Sequence, residues 1–111
     1  MARPLQLGST APTRVKSLAA VLGERLRIAR KRRRLTEAEL AARAGINRLT
    51  VRKAEAGALQ TALGAYLAMA WALGLDKQLD DLFASDPEGE MLERARLPER
   101  VRQALTDEDE F

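Results

Sequence analysis

Residues 36–57, TEAELAARAGINRLTVRKAEAG, constrain this chain more than any other stretch. They predict two short helices joined by a tight turn. Thr36 is placed to cap the first helix, and Glu39, three residues on, to return the bond as a capping box. Leu40, Ala41 and Ala44 fall on one apolar face at helical spacing. Gly45 then ends the helix, because glycine enters the left-handed backbone region without a steric cost. Ile46 turns inward, and the side-chain oxygen of Asn47 suits the free amides that open a second helix. In that helix Val51, Ala54 and Glu55 share the inner side, while Arg48, Leu49, Arg52 and Lys53 share the outer one. Gly57 stops it.

Two readings fit this pattern. One is a helix-turn-helix, whose second helix enters the major groove of DNA. The other is an ordinary helical hairpin with a solvated charged face. Spacing alone does not separate them. The order T-E-A-E-L-A-x-x-A-G-I-x-x-x-T-V-x-x-x-E-x-G, however, resembles the Cro/C1 (XRE) repressor family, over residues 22–75. The resemblance implies an all-α fold of five helices, a five-helix Cro/C1 repressor-like DNA-binding domain. It implies a transcriptional repressor that binds double-stranded DNA as a homodimer on a palindromic operator. It also implies an internal ion pair between Arg30 on the first helix and Glu55 near the end of the recognition helix. Glu37 departs from the family, which usually carries a phosphate-contacting glutamine there. A carboxylate is repelled by phosphate, so either that contact is lost or Glu37 turns toward a basic neighbour.

Charge agrees with a polyanionic partner. Residues 1–75 carry 14 Lys/Arg against 4 Asp/Glu, and residues 76–111 carry 5 against 12. The front is therefore basic and the back acidic. The chain has 111 residues, enough for one small domain with tails. With no cysteine or histidine, disulfides, thiolate catalysis and histidine metal sites are excluded. No cofactor, metal or enzymatic role is expected. The absence of an apolar membrane-length run or a secretory core predicts a cytoplasmic, nucleoid-associated protein.

Three segments follow: an arm over residues 1–14, the domain over 15–84, and an acidic helical or flexible tail over 85–111. In the arm, Arg3 and Arg14 are candidates for the minor groove, against the plainer reading of an unordered leader. A long first helix is expected from Thr13 or Val15, with Val15, Leu18, Leu22, Leu26 and Ala29 as its apolar stripe. It ends in Arg30, Lys31, Arg32, Arg33 and Arg34, of which Lys31 and Arg32 are the candidates for phosphate contact. Base readout is assigned to Arg48, Leu49, Arg52 and Lys53, supported by Asn47 and Thr36. Thr61 is the expected cap of a helix over 62–73, where Trp71 is read as core rather than as a stacking platform. Asp76 is expected to cap a last short helix with Leu79, Leu82 and Phe83 on its apolar side, the candidate dimer interface.

In the tail, Asp86 followed by Pro87 signals another helix start. Met91, Leu92 and Ala95 share one side there. Pro98 interrupts, Val101, Ala104 and Leu105 suggest one more turn, and residues 107–110 are expected to be disordered. Residues 73–102 resemble the tails of HipB-type antitoxins, which accompany HipA-type serine/threonine kinases. That resemblance implies an autoregulating antitoxin with a kinase-toxin partner. A stand-alone Cro/C1-type regulator is the alternative.

Overall fold

The computed structural model describes residues 11–108, and these contain helices and turns without a strand. The chain divides into two compact units, Met1–Asp80 and Asp81–Phe111. The first holds α1 (Thr13–Arg32), α2 (Glu37–Ala44), α3 (Arg48–Glu55), α4 (Leu63–Ala72) and a single 3-10 turn, Asp76–Leu79. The second holds α5 (Pro87–Ala95) and α6 (Glu99–Glu108).

The helices of the first unit end in one repeated way. After α1, α2, α3 and α4, the amides of Leu35, Ile46, Ala58 and Leu75 donate back to the carbonyls of Arg30, Ala41, Lys53 and Ala70. This closure requires a left-handed residue just before the donor. Gly45, Gly57 and Gly74 supply it at φ of 71°, 78° and 76°. Arg34 supplies it after α1 at φ 54°, which costs a non-glycine residue about 1–2 kcal/mol. The closure returns an apolar side chain to the interior: Leu35 lies in the core, and Ile46 and Leu75 pack against it.

That core comprises Ala29, Leu35, Leu40, Ala41, Val51, Ala54, Met69 and Leu73. Leu40, Val51 and Met69 are its largest fully buried side chains, each worth about 1.5–3 kcal/mol of transfer free energy. α2 packs on α3 and α4, and α1 packs on α3. The helix pair over residues 37–55 is thus held from two sides.

Of the predicted apolar stripe of α1, only the last part, Leu26 and Ala29, packs on the core. Val15, Leu18 and Leu22 are exposed, whereas Gly23 and Ala29 are buried and Leu26 is half-buried. The reason is close approach. A Cβ added at Gly23 would lie 2.5 Å from the Ala54 carbonyl oxygen and 2.6 Å from that of Glu55. The backbone of α1 therefore rides directly on the end of α3, and a large side chain has no room at the crossing.

Other expectations are corrected nearby. Thr61 does not cap α4; its hydroxyl donates to the Ala58 carbonyl, and α4 begins after Ala62 with no side-chain cap. Trp71 is not core: it is 64% exposed, in line with exposed Leu63 and Leu67, eight and four residues earlier. Ala65, Met69 and Ala70 form the buried side of α4 instead. The fifth helix is reduced to the 3-10 turn Asp76–Leu79, which Asp76 enters without capping. Leu79 is half-buried.

In the second unit, Leu82 is exposed and Phe83 is 90% exposed with a left-handed φ of 61°. No helix carries them. Asp86 caps α5 by accepting from the Gly89 amide at 3.1 Å, with Pro87 at the first helical position. Met91 and Leu92 are exposed on it. α6 continues to Glu108, so Asp107 and Glu108 are helical where disorder is expected. Arg14 stands in the first turn of α1 rather than in an arm. Arg3 and residues 109–111 lie outside the described residues.

Two glycines test the α1 crossing. Gly23→Ala improves helix propensity, yet it should destabilise the fold by about 1–3 kcal/mol, because backbone carbonyls cannot yield as a side chain does. Gly64→Ala on α4 meets no atom within 4 Å and should gain up to about 1 kcal/mol. Thermal melts of the two variants should shift in opposite directions.

Candidate nucleic-acid interface

The candidate site is built on α3. Asn47 Oδ1 accepts from the Leu49 amide at 2.7 Å and fixes where the helix starts. α2 in front of it is fixed in the same way. The Glu39 amide donates to Thr36 Oγ1 and the Thr36 amide to Glu39 Oε1, both at 3.0 Å. The bond from the Thr36 backbone amide, with a further hydrogen bond from the Thr36 side chain, lowers the pKa of the Glu39 carboxyl. With both helix starts capped, the turn between them has little freedom.

The end of α3 is tied to α1 by charge. Arg30 Nε and Nη2 donate to the two carboxylate oxygens of Glu55 at 2.8 and 2.9 Å, and Arg30 Nη1 donates to the Leu35 carbonyl at 2.9 Å. Both side chains are buried. The hydrogen bond to Glu55 raises the Arg30 pKa further, against the opposing effect of burial. Among the described residues no buried side-chain polar atom lacks a partner. One arginine thus joins the end of α1, the loop before α2 and the end of α3.

With its inner side held, α3 turns Arg48, Leu49, Arg52 and Lys53 to solvent. Leu49 is 53% exposed, an apolar group in a basic surround. Asn47, Thr36, Lys31 and Arg32 are exposed as well. The basic run at the end of α1 divides its work. Arg30 pairs inward, Arg33 Nη1 donates to the Ala29 carbonyl at 2.8 Å, and Arg34 forms the left-handed turn. Lys31 and Arg32 remain at the surface.

Sequence reasoning leaves open where Glu37 points, and the structure places it against Arg52. Arg52 Nε donates to Glu37 Oε2 at 3.3 Å and Arg52 Nη2 to Glu37 Oε1 at 3.5 Å. The hydrogen bond from Arg52 lowers the Glu37 pKa, with further lowering from the charges of Arg52, Arg30 and Arg48. Glu37 and Arg52 are 15 residues apart on different helices, so no local periodicity marks the pair.

An exposed, cation-rich helix face with capped ends and a rigid mount is the form in which helix-turn-helix domains present residues to the major groove. Among the described residues no helix is long and apolar enough to cross a membrane.

The buried ion pair admits a direct test. Glu55→Ala leaves the Arg30 guanidinium buried without its counter-charge and should cost about 3–5 kcal/mol. The double variant Arg30→Met, Glu55→Leu should lose less than Glu55→Ala alone, because no charge remains buried. Urea denaturation of the two variants measures both; a double variant that loses as much as Glu55→Ala, or more, would contradict the pairing.

Comparison with known proteins agrees with this geometry. No curated protein matches the chain. The family model for the helix-turn-helix domain matches residues 21–83, more than half of the chain and all of α2, α3 and α4. The helical order is that of an all-α, Cro/C1-like fold. The chain belongs to the helix-turn-helix domain family, the architecture of DNA-binding regulators.

Proposed function

We propose that this chain is a sequence-specific transcriptional repressor that binds double-stranded DNA as a homodimer on a palindromic operator. The observation that carries this reading is the outward face of α3. Arg48, Leu49, Arg52 and Lys53 stand exposed there, on a helix whose inner side is anchored by Arg30 and Glu55. Arg48 suits a bidentate pair with guanine, and Leu49 an apolar contact with a thymine methyl. Lys31 and Arg32 supply sequence-independent contact with phosphate. Glutamine at both Lys31 and Arg32 should lower the slope of log affinity against log salt by about 1.8, or ~0.9 for each lost phosphate contact. Arg48→Ala should instead lower affinity for the selected operator more than for random duplex. An unchanged slope, or equal losses on both duplexes, would remove these residues from their roles.

One recognition helix reads too few base pairs for specificity in a genome, which favours a two-fold pair with recognition helices ~34 Å apart. Leu79, Leu82 and Phe83 are the proposed pairing residues, of which Phe83 is the most exposed. A second reading is favoured by exposed Leu63, Leu67 and Trp71 on α4, a helix without a charged residue. Aspartate at the true pairing surface would be desolvated and should give monomers. Sedimentation of Phe83→Asp and of Trp71→Asp distinguishes the two, the monomeric variant marking the interface.

The antitoxin extension of this reading rests on residues 73–102, whose sequence resembles HipB-type tails. In it the protein represses its own operon and engages a HipA-type kinase through its acidic second unit. α5 supports this with exposed Met91 and Leu92 among carboxylates, a surface suited to a basic partner. A kinase reading frame beside the gene favours this role; a gene standing alone favours the Cro/C1-type regulator without a toxin.

A further inference from the structure

The contact between Glu37 and Arg52 puts a carboxylate at the edge of a surface that must meet phosphates. Its place in the first turn of α2 does not account for it, because the carboxylate reaches across to a different helix. Fold stability does not account for it either. Arg52 is 56% and Glu37 27% exposed in their side chains, and pairs this open contribute little to stability.

The geometry of the guanidinium suggests another role. Arginine has five N–H donors arranged along separate edges. Glu37 occupies the edge formed by Nε and Nη2. The edge formed by Nη1 and the second Nη2 hydrogen stays open, and a guanine needs two such parallel donors for its O6 and N7. Arg52 can therefore hold Glu37 and a guanine together. A long exposed arginine otherwise samples many rotamers and must be ordered on binding. A carboxylate already paired with it, as Glu37 is, would do part of that ordering beforehand. The same carboxylate repels backbone phosphate, which keeps the Arg52 side chain from settling on the DNA backbone.

We propose that Glu37 is a positioning residue for base readout, fixing Arg52 so that its open edge meets a guanine in the major groove. This rests on the DNA-reading function proposed above. It assigns Glu37 two effects of opposite sign: it weakens affinity for DNA at large and strengthens preference at one base.

The test starts with selection from a random duplex library by the wild-type protein, Arg52→Ala and Glu37→Gln. Affinities are then measured on the wild-type consensus, on that consensus with the Arg52-dependent guanine replaced, and on random duplex. Arg52→Ala should lose preference for guanine at one position in each half-site, by roughly tenfold or more. Glu37→Gln should lose at least threefold of preference at that same position. It should also bind random duplex at least twofold more tightly, with its melting temperature unchanged. A Glu37→Gln protein that keeps or sharpens the guanine preference overturns the proposal, since Glu37 then only withholds Arg52 from DNA. An Arg52→Ala protein with an unaltered motif also overturns it. A wild-type protein that selects no motif instead overturns base readout itself, which separates the two failures.

Discussion

The first unit depends on the ion pair between Arg30 and Glu55. Removing two charges from water is costly, and their attraction repays it only when geometry is good and the remaining donors are satisfied. Both conditions hold here. The pair is two-pointed, and the third donor of Arg30 meets the Leu35 carbonyl. Its value lies in specification. An apolar contact tolerates small slips along a helix, whereas a bidentate pair fixes the end of α3 in rotation as well as position. The outward residues of α3 are then aimed by a charge on its other side.

The second constraint is smallness. Gly23 lets the backbone of α1 lie against the carbonyls that end α3, and Gly57 serves the same junction. A Cβ at Gly57 would stand 2.9 Å from the Ala20 Cα. With α1 held at this contact, the side chain of Arg30, two turns further along α1, reaches the Glu55 carboxylate. Close packing and charge pairing thus depend on each other. A bulkier residue at the crossing would push α1 away and lengthen the pair it supports.

Much of this was legible in the sequence where local chemistry decides the outcome. Thr36 with Glu39, Gly45 and Asn47 define the two helices because capping and left-handed turns act over three or four residues. Asp86 with Pro87 defines the start of α5 for the same reason. Contacts made by absent side chains were not legible. The leucines of α1 predict a stripe through Leu18 and Leu22, but the buried stripe runs through Gly23, which carries no hydropathy signal of its own. Trp71 shows the opposite error: its bulk suggests core, whereas α4 buries Ala65, Met69 and Ala70. Phe83 likewise lies outside any helix, because the chain after Leu79 turns through a left-handed backbone. The partner of Glu37 was unreadable because it lies on another helix, chosen by the angle between α2 and α3.

The proposed function requires this rigid mount to present the outer face of α3 to the major groove. Amide and arginine side-chain chemical-shift changes, followed by NMR as a selected duplex is titrated in, test it most directly. The largest changes are expected at Arg48, Leu49, Arg52 and Lys53, with Thr36, Lys31 and Arg32 around them and the buried Arg30 Nε signal little moved. Changes centred on α4 or on the second unit, with α3 silent, would contradict it.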